Sequence, residues 1–206
     1  MSIANVFVEK DRAIIGVDSE VLTNDGSRFP ACKWLLLPQM DAVVTFRGNG
    51  IVFCVAATSL LGYYGTFDSL AADMPHVVSQ AFENAVSQAT ALRICIDSTW
   101  QAQFGLVGNS IERERMALHV FKQERPGAKV ESFFDQPQLI SPFRAEDAPR
   151  CRDLGIRSDQ EGMIALARYQ KDMVQDVLGD KAVAGGALYV AELEKGRLSV
   201  QRTIIL

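Results

Sequence analysis

The chain has 206 residues, 48% hydrophobic and 22% charged, with a formal net charge of −4. The length suits one domain, 1–206, with a sizeable core, and the composition is that of a soluble globular protein rather than a disordered one. The acidic balance and the lack of a basic cluster argue against nucleic-acid binding.

No apolar run is long enough to span a bilayer, so no membrane partner is expected. The start of the chain lacks a basic region followed by a long apolar core, so a cytoplasmic location is expected. Cys32, Cys54, Cys95 and Cys151 are scattered and form no C-x-x-C pair. They are expected to be buried reduced thiols. Only His76 and His119 could join them at a metal, so no metal site and no cofactor is expected.

In chain order, residues 3–9 and 12–19 read as a hairpin of two strands across the charged turn Glu9-Lys10-Asp11-Arg12. Residues 21–30 are polar and carry the turn signal Asn24-Asp25-Gly26. Strands are expected at 32–37 and 42–46, joined by Pro38-Gln39-Met40-Asp41. The apolar run 51–61 is long for a strand and is predicted to be a helix, with Asn49 as its N-cap and Gly62 to Gly65 as its end. A second helix is predicted over 74–90, with Pro75 in its first turn and Val77, Val78, Ala81, Phe82, Ala85 and Ala89 on one face.

The middle of the chain reads as strands at 92–97, 102–111 and 116–123. Glu112-Arg113-Glu114-Arg115 alternates in sign and suits a solvated turn. Residues 124–156 are read as loop with one strand at 138–141. Ser158 and Glu161 fit a capping box for a helix that Gly179 ends. Strands at 184–193 and 198–206 close the chain. Strands, two helices, strands, one long helix and strands suit an α+β protein of two sheets covered by helices.

The chemistry-bearing residues sit in this frame. Ser2 follows Met1 directly. Asp18-Ser19 ends the second strand, Lys33 opens the apolar run Trp34-Leu35-Leu36-Leu37, and Arg47-Gly48-Asn49-Gly50 precedes the first helix. A hydroxyl residue at an exposed chain terminus can attack through its oxygen while its own α-amino group takes the proton. Asp18, Lys33 and Gly48 lie 16, 31 and 46 positions after Ser2. On these residues the chain resembles the proteasome β subunit and HslV, of the N-terminal-nucleophile (Ntn) hydrolase superfamily, clearly over about the first sixty residues and mainly in element order beyond. The Lys33 spacing is one short of the family pattern.

The resemblance implies a four-layer αββα sandwich (Ntn hydrolase-like) that hydrolyses peptide or amide bonds, with Ser2 as nucleophile once Met1 is removed. A retained Met1 would acylate the amine and silence it. It implies that Lys33 lowers the pKa of the amine and stabilises the alkoxide, that Asp18 neutralises and orients Lys33, and that the Gly48 N–H holds the oxyanion. It also implies a homo-oligomer, with a ring as one form and an unfoldase as a candidate partner.

Other readings stay open. Ser2 can be a terminal residue favoured by processing, Asp18 a strand end, Lys33 an edge-strand charge and Gly48 a turn glycine. The whole chain can be a non-catalytic assembly or binding subunit of the same fold. The sequence also departs from the family pattern. Ser replaces the commoner Thr, Glu20 stands where Arg is frequent, Ser141-Pro142 only loosely matches a later Gly-Ser-Gly turn, and Asp180 lacks its accompanying serine.

Overall fold

The computed structural model describes residues 2–22, 27–97, 100–143, 149, 153, 156–179 and 184–204. The strands are β1 (Ala4–Val8), β2 (Arg12–Asp18), β3 (Glu20–Leu22), β4 (Arg28–Pro30), β5 (Trp34–Leu37), β6 (Ala42–Gly48), β7 (Ala102–Ser110), β8 (Arg115–Gln123), β9 (Glu131–Phe133), β10 (Gln138–Ser141), β11 (Ala187–Glu194) and β12 (Arg197–Ile204). Among the described residues the α-helices with defined bounds are α1 (Gly50–Leu61), α2 (Phe67–Ala91) and α3 (Gln160–Leu178), and Pro149 and Asp153 are also helical. The chain divides into two compact units, Met1–Trp34 with Pro137–Leu206, and Leu35–Gln136.

The first unit is an antiparallel sheet ordered β10-β1-β2-β11-β12, with α3 on it and the small hairpin β3-β4 beside it. The opening hairpin forms as its pattern requires, with Ala4 opposite Val17 and Val8 opposite Ala13. Ile3, Phe7, Ile14 and Leu188 meet Met163, Leu166 and Val174 of α3 in one core. A Cβ on Gly16 would come within 2.5 Å of the Met163 sulfur, so this strand glycine makes the space that the helix side chain fills.

The second unit is an antiparallel sheet ordered β5-β6-β7-β8-β9, with α1 and α2 packed on it. Phe67, Phe82, Phe104, Leu106 and Phe121 form the centre of its core. Each unit is thus an antiparallel sheet with helix packed on it, and the fold is α+β, as expected from the sequence.

Several local readings are corrected. The polar stretch 21–30 holds β4 and the last two residues of β3, and its Asn24-Asp25-Gly26 turn lies outside the described residues. α2 begins at Phe67, because Thr66 and Ser69 cap it reciprocally. The Ser69 N–H donates to Thr66 Oγ1 at 3.1 Å and the Thr66 N–H to Ser69 Oγ at 2.9 Å. Pro75 therefore lies inside the helix rather than in its first turn.

Residues 92–97 form no strand. Arg93 has φ +57°, the Arg93 N–H donates to the Thr90 carbonyl, and the Ile94 N–H donates to the Ala89 carbonyl at 2.8 Å. That is a Schellman ending for α2, with Ile94 folded back against the core. The N-cap of α3 is Asp159, whose carboxylate accepts the Gly162 N–H at 2.8 Å, rather than Ser158. Cys32, Cys54 and Cys95 are exposed free thiols, not buried ones, and Cys151 lies outside the described residues. Among the described residues no helix is long and apolar enough to cross a membrane.

Candidate active site at the start of the chain

The end of β2 fixes the first residues of the chain. The Asp18 N–H donates to the Ile3 carbonyl at 3.3 Å, and the Ile3 N–H donates to Asp18 Oδ1 at 2.9 Å. Ile3 is fully buried, so it anchors the segment and leaves Ser2, partly exposed, just beyond the anchor.

Asp18 is fully buried and Lys33 is 6% exposed, and their charged atoms lie 2.8 Å apart. Each member finds a full set of partners. Lys33 Nζ donates to Asp18 Oδ1, to Ser2 Oγ at 3.1 Å and to the Glu20 carbonyl, one acceptor for each of its three N–H bonds. Asp18 accepts from Lys33, from the Ile3 N–H and, on Oδ2, from the Gly185 N–H at 3.3 Å. A carboxylate that meets only donors and an ammonium that meets only acceptors are the ionised forms.

Burial is the largest influence on both groups. It lifts the Asp18 carboxyl above the usual carboxylate range, against the pull of Lys33 and the two backbone N–H groups. It also holds Lys33 below the usual lysine range, against Asp18 and Glu20. A lysine so placed presents a desolvated positive charge to one hydroxyl oxygen.

Ser19 locks the neighbouring strands. The Ser19 N–H donates to the Ala187 carbonyl at 2.9 Å, Ser19 Oγ accepts the Ala187 N–H at 3.1 Å, and the Ser19 carbonyl accepts the Ala31 N–H at 2.7 Å. The Asp-Ser pair therefore splits its work. Asp18 holds the lysine, and Ser19 ties the start of β11 and the approach to β5 around it.

The structure thus brings Ser2, Asp18 and Lys33 together within the first unit. Gly48 belongs to the second, where its local setting explains its identity. Its φ is +130°, and a Cβ there would come within 2.1 Å of the Gln101 carbonyl oxygen. Asn49 then caps α1, its side-chain oxygen accepting the Ile51 N–H at 2.9 Å. Ser141 lies opposite Ala4 at the end of β10, and Asp180 lies outside the described residues.

Sequence reasoning missed the Ile3 N–H, the Glu20 carbonyl and the Gly185 N–H. The adjacent Gly185-Gly186 pair was the available signal for the last of these. Gly186 has φ +73°, and a Cβ on it would come within 2.9 Å of Ser19 Oγ.

Solved structures that share this architecture include two of Anbu. A Gly-1 mutant of Anbu from Hyphomicrobium sp. strain MC1 superposes with a TM-score of 0.63 at 14% identity, over 100% of this chain and 88% of its own. Anbu from Yersinia bercovieri, described as an ancestral β-subunit, gives 0.64 at 12% identity, over 99% of this chain and 88% of its own. The fold is the proteasome-like fold of Anbu. At such identities the likeness shows the fold alone. No protein-family profile matches the chain, and no curated protein is similar to it in sequence.

The resemblance to the proteasome β subunit and HslV is corrected accordingly. The likeness found is to Anbu, over 100% and 99% of this chain in the two structures. Asp-Ser, a strand lysine and a glycine turn are short motifs whose spacing follows from hairpin and strand lengths, so they report the architecture more than a particular branch of it.

Proposed function

We propose that the chain is a hydrolase of peptide or amide bonds whose nucleophile is Ser2, exposed by removal of Met1. The observation that carries this reading is the contact of 3.1 Å between Lys33 Nζ and Ser2 Oγ, with Lys33 fixed by the buried carboxylate of Asp18.

In this reaction the Ser2 oxygen attacks the substrate carbonyl carbon, and its proton passes to the free α-amine of Ser2. The C–N bond then breaks, the leaving amine takes that proton, and an acyl ester remains on Ser2. Water attacks the ester and returns Ser2 with its proton. The Lys33 charge favours the developing alkoxide and keeps the α-amine unprotonated near neutral pH. Asp18 keeps Lys33 in place, since an unpaired charge in that interior is costly.

The test compares turnover of small peptide substrates by the wild type and by Ser2→Ala, with intact mass confirming loss of Met1. Ser2→Ala should lose at least about a thousandfold in rate and unfold at the same temperature. Equal turnover in the two proteins would contradict the proposal.

We infer also that copies of the chain associate. α1 is apolar on nearly every face, and Leu61 at its end and Tyr64 just beyond are 61% and 95% exposed. A helix of this kind normally buries its second face. Light scattering at micromolar concentration should give a multiple of the 22.6 kDa chain mass, and a monomer would overturn this inference.

A further inference from the structure

Glu20 is the charged residue beside the pair that the reaction above does not use. It opens β3 and lies opposite Pro30 of β4. The neighbouring Ser19 carbonyl is taken by the Ala31 N–H. By the alternation of an antiparallel ladder, Glu20 and Pro30 are then a non-bonded pair, so the Glu20 carbonyl faces out of the hairpin. That carbonyl receives the third N–H of Lys33.

The side chain of the same residue is held on two sides. Arg28 of β4 donates to its Oε1 and forms an ion pair with it. Its Oε2 lies against Gly185, where a Cβ would approach to 2.5 Å. Gly185 is also the residue whose N–H donates to Asp18 Oδ2. One carboxylate therefore touches both the hairpin that supplies the lysine's acceptor and the segment that supplies the aspartate's donor.

We propose that Glu20 is a positioning residue: its carboxylate, clamped by Arg28 and seated on Gly185, fixes the carbonyl that aims Lys33 at Ser2. Its charge also adds to that of Asp18 in keeping the buried lysine protonated. The anions acting on Lys33 are thus Asp18 from β2 and Glu20 from β3, and the cation nearest to Glu20 is Arg28 from β4. The consequence for turnover rests on the Ser2 reading, whereas the consequence for Lys33 does not.

The experiment follows the Lys33 side chain directly. Protein labelled with 13Cε-lysine is titrated by NMR, with the Lys33 signal assigned by its loss in Lys33→Met. In Glu20→Gln the Lys33 midpoint should move to lower pH by about 0.5 unit or more, while Glu20→Asp, which keeps the charge, should fall between that variant and wild type. In the same samples kcat should drop by about tenfold or more in Glu20→Gln with KM changed less than about twofold, and Arg28→Gln should lower kcat without removing the Glu20 charge. If Glu20→Gln fails to fold, Glu20→Asp carries the comparison. An identical Lys33 midpoint in wild type and variant overturns the proposal. A shifted midpoint in a protein whose Ser2→Ala form is as active as wild type leaves the positioning role standing and removes the Ser2 reading instead.

Discussion

At the residue scale the candidate site turns on one buried ion pair. Taking Asp18 and Lys33 out of water is costly, and removing either leaves the other charged and unpaired. Asp18→Asn and Lys33→Met should each destabilise the protein by about 3–5 kcal/mol. The double variant should cost far less than their sum, because it removes both desolvated charges together. Urea unfolding of the four proteins measures this coupling, and additive losses would contradict it. The pH dependence has a definite sign. The folded-state pKa of Asp18 lies above its ordinary 3.8, so the folded form holds an extra proton there and its stability falls as pH rises through that window. The folded-state pKa of Lys33 lies below its ordinary 10.5, so stability rises again as pH climbs from the lowered value to 10.5. The stability of the double variant relative to wild type should therefore be highest around neutral pH, and a difference independent of pH would show that the pair does not titrate as described. Asp18 and Lys33 were legible in the sequence because each interrupts an apolar run, where a charge must find a partner. The Glu20 carbonyl and Gly185 N–H were not, since backbone groups carry no side-chain signature and reach the site only through register.

At the element scale, periodicity located most strands and helices, and capping chemistry decided the ends. α3 illustrates the difference. Ser158 and Glu161 match the capping pattern, but the side chain one residue later makes the bond. Asp159→Ala should cost roughly 1 kcal/mol of stability, and Ser158→Ala only a few tenths. The opposite order in thermal unfolding would restore the reading from sequence. The end of α2 shows why residues 92–97 misled. Their apolar content suits a strand, yet Arg93 turns the chain in the left-handed region so that Ile94 returns to the core. A glycine is the usual residue at that position, so Arg93→Gly should stabilise the protein by about 1 kcal/mol. A loss of stability would count against this ending. The small hairpin of β3 and β4 was illegible for another reason. Strands of three residues are too short for an alternating pattern to rise above a polar composition.

At the scale of the whole molecule, the first unit is built from both ends of the chain. β2 pairs with β1 on one side and with β11 on the other, and the segment before β11 reaches Asp18 through Gly185. The candidate site depends on that long-range pairing, although Ser2, Asp18 and Lys33 all lie in the first 33 residues. The alternation of helical and β blocks was enough to indicate the architecture, and an identity of only 12–14% with Anbu shows how little of the sequence that architecture fixes. What the fold leaves open is the chemistry of Ser2, and a covalent probe tests it most directly. The protein is treated with a β-lactone, which acylates an activated hydroxyl, and its intact mass and peptide map are read. One acyl group per chain is expected, carried by Ser2 in molecules that have lost Met1 and absent from Ser2→Ala. An unmodified chain, or the same adduct on Ser2→Ala, would contradict it.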